Sequence, residues 1–391
     1  MWEIFKTFFI LGCISFGGPA AHIGYFRSTF VQRLAWLNEK QYADIVALSQ
    51  FLPGPGSSQV GFAVGYHRAG LAGALFAFLG FTLPSIALML LLVVTTAQLT
   101  DNSLFLSVIH GLKLLAVVVV FDAVLGMYKN FCKDNVRIFL CLLTACVLLI
   151  WPGIFSQLLV LIGAATIGVL LLKEKHNDVV DKQTSILSKE LVNSINYVPL
   201  TVFLLLLFSL PFLTHISPIV QTFSDFFQAG SLVFGGGHVV LPLLENIVSG
   251  QIAPDQFLTG YAIAQAVPGP MFTFATYIGY FILPNTPILG ALIATVAVFL
   301  PGFLLLLSCL KNWKKLSALP NLAAAINGVN AAVVGLLISA LYQPVFSSAV
   351  FNGVDMATVL VGVYLLKCKQ LPIVALVALF ALAGGAFSLL Y

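Results

Sequence analysis

Among the stretches of this chain with no Asp, Glu, Lys or Arg are those between Arg68 and Asp101, between Glu190 and Asp225, and between Asp255 and Lys311. Each exceeds the ~20 apolar residues that carry a helix across bilayer hydrocarbon. In lipid every backbone N–H and C=O must be paired within the protein, which leaves helices or a closed barrel. Continuous apolar runs of this length select helices, so the expected fold is an all-α polytopic membrane protein. Only 8% of the residues are charged while 60% are hydrophobic, against ~25% charged in soluble domains. A cytosolic enzyme is therefore excluded, the bilayer is a partner, and no nucleic-acid partner is expected. Cys13, Cys132, Cys141, Cys146, Cys309 and Cys368 show no CxxC spacing. They are expected as small buried hydrophobes, with neither metal nor other cofactor.

The chain repeats itself. Phe8-Phe9-x-x-Gly12-x-x-x-Phe16-Gly17-Gly18 returns as Phe226-Phe227-x-x-Gly230-x-x-x-Phe234-Gly235-Gly236, offset by 218. Gln50-x-x-Pro53-Gly54-Pro55 returns as Gln265-x-x-Pro268-Gly269-Pro270, offset by 215, and Leu83-Pro84 as Leu300-Pro301, offset by 217. This order predicts two homologous halves, 1–172 and 220–391. Between them, 173–219 holds a charged linker and one extra apolar segment, Tyr197 to Leu213. The N-terminus imitates a signal peptide, but its recurrence deep in the chain argues against that reading. Repeats with Gly/Pro-broken hydrophobic segments at matching positions point to a secondary transporter.

Lys and Arg placement sets orientation. Arg27, Arg33, Lys40, Arg68, Lys129, Lys133 and Arg137 place their loops in the cytoplasm, whereas the loops near 98–103 and 151–153 have neither residue type. Half two has none from 190 to 310, then Lys311, Lys314, Lys315, Lys367 and Lys369. The two halves are thus expected in inverted topology in the cell (inner or plasma) membrane, N-terminus cytoplasmic and C-terminus external. Each half is expected to hold two broken, re-entrant helical hairpins and about four transmembrane helices, in half one near 70–96, 104–128, 138–150 and 153–172. Hairpins keep the cationic loop at 27–40 inside.

The breaks carry the chemistry. Ser15-Phe16-Gly17-Gly18-Pro19 and Pro53-Gly54-Pro55-Gly56-Ser57-Ser58-Gln59 combine glycines for close backbone approach with residues suited to starting a helix. Ser57 or Ser58 is expected as the cap. Half two supplies Gly235, Gly236, Gly237 and His238, then Gly269 and Thr273. A helix that starts at membrane depth presents unpaired N–H groups and about +0.5 of an elementary charge, a ready anion site. Kinks and tight packing would explain one such break; four breaks paired by a repeat favour function. The expected substrate-binding set is Ser15, Gly17, Gly18, His22, Gln50, Gly54, Ser57, Ser58, Gln59, Gly235, Gly236, Gly237, His238, Gln265, Gly269 and Thr273. Asp44, Lys113 and its repeat equivalent Asn330 are candidates for charge or proton coupling, although snorkelling towards an interface is the plainer reading of Lys113. Asp122 lies near a span end, where solvation suffices, and Arg27, Trp36 and Glu39 read as an interfacial loop.

At these residues the sequence resembles the chromate ion transporter family. The resemblance rests on Ser15-Phe16-Gly17-Gly18-Pro19-x-x-His22-Ile23-Gly24-x-Phe26, on Trp36-Leu37-x-Glu39-x-x-Tyr42-Ala43-Asp44, and on Gln50-x-Leu52-Pro53-Gly54-Pro55-x-Ser57-Ser58-Gln59-x-Gly61. Half two adds Phe234-Gly235-Gly236-Gly237-His238-x-x-x-Pro242, and both halves are covered, as in the family's two-domain form. The resemblance implies export of chromate from the cytoplasm and chromate resistance, with sulfate as a related anion and oppositely oriented halves. Half two departs from the pattern by having Met271-Phe272-Thr273 in place of Ser-Ser-Gln. A dianion leaving an inside-negative cell gains ~4.6 kcal/mol per 100 mV, twice the single-charge value, so export needs no coupling ion. Sulfate or another oxyanion, moved by proton coupling or exchange, is the alternative substrate reading, and an anion channel the alternative mechanism. No GxSxG, HExxH or paired intramembrane aspartate motif supports an enzyme. A second copy of the chain is left open as a partner.

Overall fold

The computed structural model describes residues 1–16, 18–98, 103–172, 196–234, 237–248, 250–310 and 319–390. Gly17, Gly235, Gly236, the linker residues 173–195 and the loop lysines Lys311, Lys314 and Lys315 lie outside the described residues. Half one runs through α1 (Trp2–Ile14), α2 (Gly18–Arg27), α3 (Glu39–Phe51), α4 (Gly56–Gln98), α5 (Ser103–Phe131), α6 (Asn135–Ile150) and α7 (Ile154–Leu171). The extra helix α8 (Tyr197–Leu213) follows, matching its expected bounds. Half two runs through α9 (Pro218–Leu232), α10 (Val240–Val248), α11 (Pro254–Ala266), α12 (Phe274–Ile282), α13 (Pro287–Cys309), α14 (Pro320–Ala340), α15 (Gly353–Lys367) and α16 (Ile373–Leu390).

Local chemistry places the helix starts. Asn38 and Gln41 form a reciprocal capping box on α3, which satisfies two end groups at once. Asp134, Ser217 and Asn352 accept from first-turn N–H groups of α6, α9 and α15. Pro254, Pro287 and Pro320 open α11, α13 and α14, where a missing N–H costs nothing. α4 leaves helical geometry at Ala69 and Gly70, Gly70 having φ +62°, so it is two helices joined by a tight reversal.

The helices fall into two length classes. α1, α3 and α11 have 13 residues each and α10 and α12 have nine, or about 14–20 Å at 1.5 Å per residue. That is too short for ~30 Å of hydrocarbon. Among the described residues, five helices are long and apolar enough to cross a membrane, namely Gly56–Thr96, Ser103–Phe131, Tyr197–Ile216, Pro287–Cys309 and Pro320–Phe346, while α6 and most of α7 and α16 are shorter apolar helices. Their outward faces are apolar: Leu71, Leu75, Leu79 and Leu83 on α4 and Val198, Leu205, Phe208 and Phe212 on α8 are all exposed. A monomeric soluble protein rarely shows such a surface. The chain is a multi-pass membrane protein.

Glycines at repeat-related positions set the packing. A Cβ at Gly12 of α1 would lie 2.6 Å from the Phe81 carbonyl oxygen in α4, and one at Gly230 of α9 would lie 2.2 Å from the Val298 carbonyl in α13. Gly65 and Gly73 face one another across the reversal in α4, as Gly279 and Gly290 do between α12 and α13. The halves also interlock. Gly111 of α5 lies against the Phe380 carbonyl of α16, while Gly328 of α14 lies against the Ala164 carbonyl of α7. Small residues let backbones approach where lipid offers no hydrophobic drive between helices. A ring stack at 4.2 Å between Phe62 and Phe303 joins the halves nearer the centre.

The cysteine expectation needs correction. Cys132 and Cys141 are buried, but Cys13, Cys146 and Cys368 are exposed and Cys309 is intermediate. An apolar run in a membrane protein has a lipid-facing side, so hydrophobic surroundings in sequence do not imply burial.

Candidate functional site

The breaks Ser15–Phe16, Leu52–Pro55, Val233–Phe234 and Val267–Pro270 meet through their backbones. The Gly54 N–H donates to the Val233 carbonyl at 2.7 Å, and the Gly269 N–H donates to the Ser15 carbonyl at 2.8 Å. These two bonds are repeat equivalents, each running from the PGP turn of one half to the end of the first helix of the other. Gly54 and Gly269 have φ of +119° and +97°, values L side chains rarely adopt. Their neighbours leave no room for a Cβ either: it would lie 2.8 Å from Gly302 Cα at Gly54 and 2.0 Å from Ser85 Oγ at Gly269.

Side chains satisfy the remaining carbonyls at the tips. Gln59 is fully buried and its Nε2 donates to the Pro53 carbonyl at 2.9 Å and to the Gly302 carbonyl at 3.0 Å. Ser85 Oγ donates to the Pro268 carbonyl at 2.6 Å. Ser15, Pro53, Val233 and Pro268 thus all have their C=O groups paired. The helix starts beyond each break keep the first-turn N–H groups that a helix cannot pair internally. The carbonyl ends named here are occupied, and a helix start favours negative charge over positive.

In half one, His22 is fully buried between Ser15 and Ser57. Its Nε2 lies 3.2 Å from the Ser15 carbonyl, which can only accept, so Nε2 carries the proton. In the neutral ring Nδ1 then accepts from the Ser57 hydroxyl, also at 3.2 Å. Among the described residues neither serine caps as expected: Ser57 is held by His22 and the Ser58 hydroxyl has no partner. The Ser15 hydroxyl and Gln59 Oε1 are likewise buried without partners among the described residues. In half two, His238 Nδ1 lies 3.0 Å from the Tyr261 hydroxyl, Thr273 Oγ1 donates to the Pro270 carbonyl at 2.8 Å, and Gln265 Nε2 approaches Met271 Sδ at 3.8 Å. A small cavity bounded by Gly18, His238, Gln265, Gly269 and Met271 lies between the halves.

Other expected residues stand apart. Gln50, unlike its equivalent Gln265, is exposed. Asp44 is half-buried on α3. Lys113 is buried and its ammonium is ion-paired to Asp255, an exposed residue in the first turn of α11. Asn330, its equivalent on α14, is buried with Oδ1 unpartnered. Asp122 pairs with Lys367 instead of being merely solvated. Arg27 and Glu39 form a two-bonded pair at 3.0 and 2.8 Å, and Arg68 lies 5.2 Å over Trp36. They form the exposed loop expected, and the Arg27 hydrogen bond holds the Glu39 carboxyl below its ordinary range. Sequence reasoning missed Ser85, Gly302, Tyr261 and Asp255. Ser85 and Gly302 were within reach of it, because each directly follows the repeated Leu-Pro pair.

The chromate transporter family matches residues 2–169 and again 220–385. A chromate transport protein of Cupriavidus metallidurans is 27% identical over 98% of this chain and 92% of its own length. A probable chromate transport protein of Synechococcus elongatus is 27% identical over 98% and 95%. An uncharacterized transporter of Methanocaldococcus jannaschii is 28% identical over 98% and 93%. No solved structure matches. With the family's pattern present in both segments, the chain belongs to the chromate transporter family.

Proposed function

We propose that this protein exports chromate, a tetrahedral oxyanion, from the cytoplasm through a site formed where the four broken helices meet. The observation that carries this is the asymmetry of satisfaction at the breaks. Every tip carbonyl named above is paired, whereas the buried hydroxyls of Ser15 and Ser58 have no partner among the described residues, and a helix start has first-turn N–H groups that its own backbone cannot pair. A dianion that offers only acceptors fits a centre that offers donors. The substrate-binding set is Ser15, Gly18, His22, Gly54, Ser57, Ser58, Gln59, Gly237, His238, Gln265, Gly269 and Thr273; Gly17, Gly235 and Gly236, expected in the same set, lie outside the described residues. His22 fixes the Ser57 hydroxyl, and Gln59 and Ser85 hold the turns open.

In this reading, half one (1–172) and half two (220–391) are inverted in the membrane and the short helices are re-entrant. The Lys367–Asp122 pair supports the inversion. It brings the end of α15 beside the cation-rich end of α5, as expected if both face the cytoplasm. Cysteines placed at Lys129 and Lys367 should both resist impermeant reagents in intact cells, and labelling of either one would defeat the topology.

The functional test is uptake by proteoliposomes of purified protein under imposed voltage, comparing chromate, sulfate and molybdate. Saturable chromate flux that responds to voltage is expected. Absence of oxyanion flux would remove the proposal, and ohmic single-channel currents would replace a carrier with a channel.

A further inference from the structure

Glu245 is a carboxylate the site does not use. It stands on α10, seven residues beyond His238, or about 10 Å along the axis. Its equivalent in half one is Arg27, which pairs with Glu39. Half two has lost both sides of that pair, with Glu245 in place of the guanidinium and Pro254 in place of the carboxylate. Glu245 is half-buried and forms no hydrogen bond or ion pair among the described residues.

It separates two cavities. One, of about 70 Å³, lies against Pro152, Gln157, Ser339 and Gln343; the other, of about 320 Å³, lies against Gln251 and Pro254. Both exceed the ~15 Å³ needed to hold a water. The elements packed on α10 offer little counter-charge: α7 and α14 carry no ionisable residue, α9 carries Asp225, and the turn before α10 carries His238. Asp255, next to Pro254, is taken by Lys113. An intramembrane carboxylate without a partner is costly when ionised and is by default a functional group. An ionised one also repels any dianion approaching through these cavities.

We propose that Glu245 is a proton-binding gate on the α10 side of the breaks: it must be neutral for the oxyanion to pass. Its proton comes from and returns to cavity water on the same side, so no proton is carried across. The inference rests on the oxyanion-transport reading. The test uses purified full-length protein in proteoliposomes with the same pH on both sides, comparing wild type, Glu245→Gln and Glu245→Asp. Wild-type chromate flux should rise several-fold between about pH 8 and about pH 6, Glu245→Asp should keep a pH slope, and Glu245→Gln should be flat beyond the change due to chromate's own protonation.

A second readout does not need a transporting variant. In weakly buffered detergent solution, chromate addition should drive more proton uptake by wild type than by Glu245→Gln. Protons taken up by chromate itself appear in both. An unchanged pH profile in Glu245→Gln, or equal proton uptake by the two proteins, overturns the gate. If wild type neither moves chromate nor shows a chromate-dependent thermal shift, the transport reading fails first and takes the gate with it.

Discussion

The two halves use one backbone frame for different side-chain chemistry. Gly54 and Gly269 make equivalent cross-half bonds, and Gly12 and Gly230 seat equivalent helix contacts. Their polar groups have diverged. In half one the hydroxyls of Ser15 and Ser58 are buried and free, with His22 held beside them. In half two Ser15 is replaced by Val233, the Thr273 hydroxyl is spent on Pro270, and His238 is tied to Tyr261. A repeat can therefore preserve a cradle while confining most of the available donors to one side of it.

The largest effect should separate the two ways of holding a PGP turn. Gln59→Leu strands the Pro53 carbonyl, at about 1–3 kcal/mol, and removes an additional bond from the Gly302 carbonyl, which lies inside a helix, whereas Ser85→Ala strands only the Pro268 carbonyl. Thermal unfolding in detergent should show the Gln59 variant losing more stability than the Ser85 variant. Equal losses would mean that the turns are held by something other than these bonds.

Next in size are the break glycines. Gly269→Ala forces Ser85 aside, adding about 1–3 kcal/mol of overpacking to about 1–2 kcal/mol of backbone strain. Gly18→Ala has φ +75° but nothing within 4 Å of its Cβ, so it meets the strain alone. The Gly18 variant should insert and remain folded on size exclusion, with the Gly269 variant largely lost. The reverse order would show that Gly18, not Gly269, is packed.

The smallest change in stability should give the sharpest functional contrast. Ser58→Ala removes an unpartnered hydroxyl, so it should leave stability unchanged. Losing a bond to a charged ligand should weaken chromate binding by about 1.5–3 kcal/mol, roughly ten- to a hundredfold. Thr273→Val removes a hydroxyl whose acceptor, the Pro270 carbonyl, still receives the Thr273 N–H. It should cost about 1 kcal/mol of stability and little affinity, read by chromate-dependent thermal shift. If Thr273→Val weakens binding more than Ser58→Ala, binding is centred in half two.

Much of the frame was legible in the sequence because repetition and glycine placement are local signals. Tyr197 to Leu213 was delimited to the residue, and each break fell where Gly and Pro clustered. Partner choice was not legible, since it depends on approaches between distant segments. The partner of Lys113 was hidden because nothing nearby in sequence announces Asp255. Gln59 looked like a free donor because the Gly302 carbonyl it holds is 243 residues away. Ser57 looked like a helix cap because its competitor, His22, sits on another helix.

The central claim is that the breaks carry a dianion and no other net charge. In proteoliposomes holding a tenfold chromate gradient at alkaline pH, net flux should vanish when about 30 mV opposes it, the balance point for two elementary charges. This reading is independent of how the protein is oriented in the vesicle. A balance point near zero or near 59 mV would contradict the account.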